Sequence, residues 1–355
     1  MDKEKIKKVL LEIKRIKEKN NIQFIDTHIH PYDVMGAIHY SNIKNEIKER
    51  NYFKGGILEK LKYNKLEKVG SRIFFKFFPK LTNKIIKKTY NYVNQETILK
   101  ELDINIIDRG VLLPVEPWLP TDVIGKNFSN DKFMLLGSLD VNSIDIKDIE
   151  NKIDKYITEY KIVGLKLHPN LQNFKPQPSH NSSQVSEKLK VIYSVAEKNK
   201  LYLLFHGGIS NYTNIIDLKY NYIIRSRTNA LLKNFCDENG KSEIFGKYNI
   251  PIVIAHLGHY GVANPNYNLV KVINQRFDNV YFDTAGVSPS LLKNIIRLIS
   301  SKKIIFGSDA LYNKVSYNIY FLYLAVKDSR FDERTENILL NILGHNYLSK
   351  ILKKL

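Results

Sequence analysis

Two histidines one residue apart, His28 and His30, stand in the run Phe24-Ile25-Asp26-Thr27-His28-Ile29-His30-Pro31. Alternate side chains of a strand share a face, so Asp26, His28 and His30 project together and the two imidazoles can grip one metal ion. A single His-x-His is a weak sign by itself. The remaining histidines strengthen it. His168, His206 and His256 each close a short apolar run: Ile162-Val163-Gly164-Leu165-Lys166-Leu167-His168, Leu201-Tyr202-Leu203-Leu204-Phe205-His206 and Ile252-Val253-Ile254-Ala255-His256. Asp309 closes a fourth, Ile304-Ile305-Phe306-Gly307-Ser308-Asp309. Continuous apolar runs of this length read as strands buried on both faces, as in a parallel sheet, and polar residues at the same end of several such strands converge.

The elements that must position these residues follow a regular alternation. Strand-like runs recur at 22–28, 109–114, 133–139, 162–168, 201–206, 252–256, 279–283 and 303–308, and amphipathic helical stretches at 148–160, 186–198, 269–277 and 288–300 lie between them. Strands alternating with helices pair in parallel through right-handed crossovers. Eight of them suffice to close a (β/α)8 TIM barrel, an α/β fold whose active site lies at the C-terminal strand ends. Ahead of the first strand, Ile6, Val9, Leu10, Ile13 and Ile16 recur at helical spacing and predict an outer helix. The chain, 1–355, reads as a single barrel domain.

One interval breaks the pattern. Residues 36–96, following strand 1, are predicted to form a helical insertion capping the barrel mouth, since a loop of that length with its own apolar content should be structured. The interval holds the basic aromatic run Arg72-Ile73-Phe74-Phe75-Lys76-Phe77-Phe78-Pro79-Lys80. It reads as a lid or a subunit contact, the place for a homodimer interface, with a membrane-surface role for the Phe and Lys face as the sharper alternative.

The formal charge of +19 comes almost wholly from lysine, 45 Lys against 10 Arg, alongside abundant Asn, Ile and Tyr. Codon bias in an AT-rich genome produces that profile, and with no reader module and no arginine cluster no nucleic-acid partner is expected. The single cysteine, Cys236, excludes an intrachain disulfide. No window approaches eighteen consecutive apolar residues, so no integral membrane segment is expected. The first twenty residues lack the apolar core of a signal peptide, and a cytoplasmic location is expected.

The motifs together resemble the amidohydrolase superfamily, specifically the amidohydrolase-related branch of metal-dependent hydrolases that also contains aminocarboxymuconate semialdehyde decarboxylase. The resemblance rests on Ile25-Asp26-Thr27-His28-Ile29-His30-Pro31, Asp108-Arg109-Gly110-Val111-Leu112-Leu113-Pro114 and Val163-Gly164-Leu165-Lys166-Leu167-His168-Pro169-Asn170-Leu171-Gln172. It continues through Phe205-His206-Gly207-Gly208, Ala255-His256-Leu257-Gly258, Val280-Tyr281-Phe282-Asp283-Thr284-Ala285-Gly286 and Phe306-Gly307-Ser308-Asp309. The chain departs from the family after Asp309, where Ala310, Leu311 and Tyr312 replace an aromatic residue and proline. It departs again at His259, where a glycine is common. Both changes lie at the pocket and bear on the substrate.

The resemblance implies that His28, His30, His206 and Asp309 bind one divalent ion, Zn²⁺ by choice of donors, with a position left for water or substrate. Three imidazoles and a carboxylate suit zinc, and an open site lowers the pKa of bound water to about 7. Asp309 would also pass a proton, and His256 would act across the pocket as general base or carbonyl polariser. Lys166 offers a second arrangement, in which a carboxylated lysine bridges two ions; otherwise it is a buried cation for an anionic substrate. Lys166, His168 and His259 are the substrate-binding candidates. Asp26 reads as a group that orients the ligands. Arg225 and Arg227 are weaker carboxylate-binding candidates, Glu116 and Trp118 a pocket wall, and His39, His180 and His345 structural or exposed.

Hydrolysis of an amide, ester or lactone of a small molecule is the first functional expectation. Non-oxidative decarboxylation of an unsaturated or aromatic acid by the same metal site is the alternative. A non-enzymatic or membrane-associated binding protein on a barrel scaffold is the third, and the retained ligand set with His256 argues against it.

Overall fold

Eight short runs rich in Ile, Leu, Val, Phe and Tyr form eight parallel strands in the computed structural model, which describes residues 3–31, 94–210, 226, 228–310, 312–327 and 334–354. They are β1 (Ile25–Ile29), β2 (Arg109–Leu112), β3 (Phe133–Gly137), β4 (Gly164–Leu167), β5 (Tyr202–Phe205), β6 (Ile252–Ile254), β7 (Val280–Asp283) and β8 (Ile304–Ile305). Each pairs in parallel with the next in sequence order. Backbone bonds from Thr27 N to Phe306 O (2.9 Å), His30 N to Ala310 O (3.0 Å) and Asp309 N to His28 O (2.9 Å) join β1 to the β8 end and close the ring. The fold is the (β/α)8 TIM barrel that the sequence predicts.

Alternation along the strands sorts the core into two. Val111, Leu113, Met134, Leu136, Tyr202, Leu204, Val253, Ala255, Tyr281 and Ile305 fill the barrel, and Tyr347 and Ile351 from the C-terminal segment join them. The other strand positions, among them Leu165, Leu167, Leu203, Phe205, Ile252, Ile254, Val280 and Phe282, face the helices in a larger cluster. This phase carries Lys166 on β4, His206 just past β5 and Asp283 at the end of β7 to the inner side.

The helices are α1 (Lys3–Asn20), α2 (Gln95–Ile104), α3 (Thr121–Asn127), α4 (Ile149–Tyr160), α5 (Ser183–Lys198), α6 (Tyr267–Arg276), α7 (Pro289–Leu298), α8 (Val315–Lys327) and α9 (Thr335–Leu340). Their starts carry local signals: Asn94, Asn266 and Ser288 accept the amides of Thr97, Leu269 and Leu291, and Pro289 opens α7. The outer helix α1 buries Ile6, Val9 and Ile13. The insertion predicted over 36–96 lies outside the described residues except at its end, where Asn94 caps α2. His39, Arg225 and Arg227, and the basic aromatic run at 72–80, also lie outside them. Among the described residues no helix is long and apolar enough to cross a membrane.

Candidate metal centre and its pocket

At the C-terminal end of the barrel His28, His30 and Asp309 offer ligand atoms that all lie within 4.8 Å of one another, each residue buried. Their hydrogen bonds fix how the imidazoles face. His30 Nδ1 stands 3.0 Å from Leu113 O, an acceptor only, so the ring proton is on Nδ1. His28 Nδ1 donates to Asp283 Oδ2 at 2.8 Å. Both rings therefore turn a bare Nε2 inward. The two Nε2 atoms are 3.2 Å apart, and Asp309 Oδ1 is 3.7 Å from the first and 3.9 Å from the second.

Three acceptors facing one another with no hydrogen between them repel, and a cation among them reverses the sign of that interaction. Burial, joined by the charge of Lys166, holds His28 and His30 well below the ordinary histidine range, so they stay neutral and ligand-competent. The residues therefore fit a divalent ion.

Asp309 is held by backbone and side chain together. Its amide is bonded to His28, its Oδ2 accepts Asn313 Nδ2 at 3.1 Å, and its φ of 59° is left-handed. Asp26 lies outside the cluster: it accepts the amides of His28 (3.1 Å) and Ser308 (2.9 Å) and the Ser308 hydroxyl, pinning β1 to the β8 end. Burial raises its carboxyl to about 7.

His206 does not enter the tight cluster. Its ring stacks on His168 at 4.1 Å with an interplanar angle of 10°, and its centroid is 4.8 Å from that of His256. Its Nε2 is buried with no hydrogen-bond partner among the described residues, an orphan atom on the same inner wall. Lys166 Nζ is the second such orphan, on a side chain only 1% exposed. Burial pulls this amine down to about 8, against the opposing pull of Asp283 and Asp309.

His256 packs its ring 5.0 Å from His28, and its Nδ1 donates to Ala285 O at 2.7 Å. Its Nε2 is therefore the nitrogen that can take up a proton. Burial, followed by His28, lowers its pKa to about 3, so the ring rests neutral. A neutral ring with its proton tied to Ala285 has no N–H to polarise a carbonyl; of the two roles expected for His256, base is the one this geometry accommodates.

His168 lines the same wall and takes the Leu171 amide on Nδ1 at 3.3 Å. His259 is differently employed: Nδ1 meets Leu257 O at 2.5 Å and Nε2 accepts the Asn266 amide at 3.0 Å, so both nitrogens serve its own loop. Glu116 is likewise occupied, by Lys152 Nζ and Tyr156 OH, each at 2.6 Å. Trp118 packs against the outer core. His180 and His345 are exposed, while Asn346, next to His345, ties the C-terminal segment to Ser301 O and Ile304 O.

The site also uses residues to which sequence reasoning assigns no role. Asp283 is fully buried and bonds both His28 and the His256 amide; its signal was its place at the end of the run Val280-Tyr281-Phe282. Asn313 bears on Asp309, and Tyr260 and Tyr312 bring rings within 4.8 Å of His256 and 5.8 Å of His30. These three sit in loops, where no periodicity marks them.

Fold and site together define a TIM barrel with a buried three-residue cluster at its C-terminal end that could hold a metal ion. Residues 121–346, more than half of the chain, match the family described as amidohydrolase, and the chain belongs to that family. Among solved structures it is similar to 5-carboxyvanillate decarboxylase of Novosphingobium aromaticivorans, complexed with manganese and 4-hydroxy-3-methoxy-5-nitrobenzoic acid. That match has 14% identity and a TM-score of 0.53, covering 95% of this chain and 97% of that one. The IDCase of Metarhizium anisopliae matches with 14% identity and a TM-score of 0.53, covering 95% of this chain and 98% of that one. The 2,6-dihydroxybenzoate decarboxylase from Rhizobium matches with 12% identity and a TM-score of 0.51, covering 92% and 97%. At these identities the likeness is one of fold. No curated protein matches the sequence.

Proposed function

We propose that the chain is a metal-dependent, non-oxidative decarboxylase of a small unsaturated or aromatic carboxylic acid. The observation that carries this reading is Lys166: a buried ammonium without a hydrogen-bond partner among the described residues, on the wall it shares with the ligand cluster. A buried cation left unpaired is costly, and an anionic substrate supplies the missing partner. The decarboxylases among the structural relatives act, by their names, on aromatic acids, and the likeness to aminocarboxymuconate semialdehyde decarboxylase belongs to the same reading.

One divalent ion is proposed, which His28, His30 and Asp309 would hold, with the unpartnered Nε2 of His206 as the candidate fourth ligand. The donor set suits Zn²⁺, and manganese is the ion in the 5-carboxyvanillate decarboxylase complex. Such an ion supplies a Lewis acid where negative charge develops. Lys166 anchors the acid, and His168 and His206 wall the pocket beside it. Decarboxylation breaks one carbon–carbon bond, leaves its electron pair on carbon, releases CO₂ and requires one proton at that carbon. That proton comes from water: His256 Nε2, bare while Nδ1 is fixed by Ala285, and Asp309 are the groups that would take it up and relay it to carbon.

The order expected from sequence, hydrolysis first, is thereby reversed. His256 as base serves either reaction, so the order rests on the buried Lys166 and on the aromatic acids in the relatives' names. The test incubates metal-loaded protein with a panel of hydroxybenzoates and unsaturated acids, and separately with esters, amides and lactones. CO₂ release matching acid consumption is expected. Cleavage of an ester, amide or lactone with no CO₂ from any acid would overturn the proposal in favour of hydrolysis. A second anomalous peak beside Lys166 in metal-loaded crystals would replace one ion by two bridged through a carboxylated lysine.

A further inference from the structure

We propose that Asp283 is the positioning residue that ties the metal ligands to the proton-transfer residue. One carboxylate fixes which nitrogen His28 turns to the ion and holds the turn that presents His256. Asp283 is 0% exposed. Its Oδ1 accepts the His256 amide at 2.7 Å and the Ala285 amide at 3.0 Å, and its Oδ2 accepts His28 Nδ1–H at 2.8 Å. Ala285 O in turn accepts His256 Nδ1–H at 2.7 Å.

Residues 283–285 thus set the tautomer of both histidines, Asp283 for His28 directly and Ala285 for His256. The Oδ1 bonds also hold Ala285 and His256 against one another. They do so at a place that needs holding, because His256 and Leu257 have φ values of 57° and 52°, the left-handed region disfavoured for residues with a side chain. A hydrogen-bonded carboxylate behind a metal-binding imidazole raises its basicity and orients it, and loss of such a partner typically costs roughly 10–100-fold in metal affinity.

The substitution Asp283→Asn separates the two tasks. Backbone amides only donate, so the amide oxygen must replace Oδ1 on His256 and Ala285, and the NH₂ group then faces His28 Nδ1. Donor would meet donor unless His28 moves its proton to Nε2, the nitrogen that faces His30 and Asp309. The experiment measures Zn²⁺ affinity by chelator competition, and the His28 tautomer by ¹⁵N NMR of the metal-free protein, for wild type and D283N. Expected are His28 protonated on Nδ1 in wild type and on Nε2 in D283N, with affinity weakened roughly 10–100-fold.

Unchanged affinity with the proton still on Nδ1 in D283N would overturn the inference. Should D283N fail to fold, the wild-type measurement decides alone: His28 carrying its proton on Nε2 overturns the inference, and on Nδ1 upholds it. A merely structural role for Asp283 would not move the tautomer. The inference rests on the metal site and not on the reaction. A wild type that binds Zn²⁺ but releases no CO₂ refutes the decarboxylase and leaves Asp283 where it is.

Discussion

Replacing Lys166 by methionine should make the metal-free protein more stable and the enzyme worse. Met keeps the length and most of the volume of the side chain and removes the charge from a position 1% exposed. Burial lowers the Lys166 pKa from 10.5 to about 8. Holding the ammonium inside therefore costs about 3 kcal/mol relative to the unfolded chain, since one pKa unit is 1.36 kcal/mol. The sign follows from the order of titration. Below pH 8 both states are protonated and the penalty is complete; between about pH 8 and 10.5 the folded state gives up its proton first and the penalty fades.

The stability advantage of Lys166→Met should accordingly be about 3 kcal/mol at pH 7 and shrink steadily towards pH 10. Urea denaturation of both metal-free proteins at pH 7, 8.5 and 10 reads this difference. On the functional side, a charge-assisted hydrogen bond is worth about 1.5–3 kcal/mol, so affinity for a benzoate-type inhibitor should fall roughly 10–150-fold. A Lys166→Met protein less stable than wild type, a gap that ignores pH, or an undiminished affinity for carboxylates would each refute the reasoning that Lys166 waits for an anion.

The remaining predictions concern the other buried groups. The double substitution His28→Ala/His30→Ala should reduce bound metal from about one ion per chain to near zero while the secondary structure survives, read by plasma mass spectrometry and circular dichroism. His256→Asn, chosen because asparagine tolerates the left-handed backbone there, should keep the metal and lower turnover by at least roughly 10²-fold; full activity would remove His256 from the chemistry. Glu101, buried on α2, has its carboxyl raised to about 8, chiefly by burial, with Lys314 pulling the other way. The unfolded chain therefore loses that proton first, and the stability gained by Glu101→Gln should grow from about pH 4.5 to pH 8 and level off above; a constant gap across that range would contradict the assignment.

Much of this was legible in the sequence because a parallel barrel writes its strands as continuous apolar runs and ends them on its site. His28, His30, Lys166, His168, His206, His256 and Asp309 all follow from that rule. What the rule does not carry is where each side chain points beyond the strand. His206 closes an apolar run and His259 stands three residues past the end of another, yet one leaves an orphan nitrogen on the inner wall and the other spends both nitrogens on its own loop. The difference is made by the left-handed pair His256 and Leu257, a backbone choice that no residue type there announces. Asp283 was visible as a strand-end polar residue, but its bonds to partners 255 and 27 positions away depend on closure of the barrel.

The same closure explains how the fold tolerates so many unfavourable groups at one end. His256 and Asp309 both adopt left-handed φ, which costs about 1–2 kcal/mol for each residue with a side chain. An unpaired ammonium and several neutralised histidines lie beside them. Asp283 and Asp309 offset the Lys166 charge in part, and the Oδ1 bonds of Asp283 brace the left-handed turn, but the larger compensation is not local. The compensation sits one layer away, in the fully buried Leu165, Leu203, Phe205, Ile252 and Ile254 between strands and helices, where each large aliphatic or aromatic side chain contributes about 1.5–3 kcal/mol on burial. Because the strands place an apolar residue outward for every polar residue inward, the strength of the outer layer and the strain of the inner end come from the same two-residue period. A ligand that supplies a cation to the three facing acceptors and an anion to Lys166 relieves the inner end without touching the outer layer. Site and fold can therefore be separated by mutation, and Lys166→Met should move stability and binding in opposite directions.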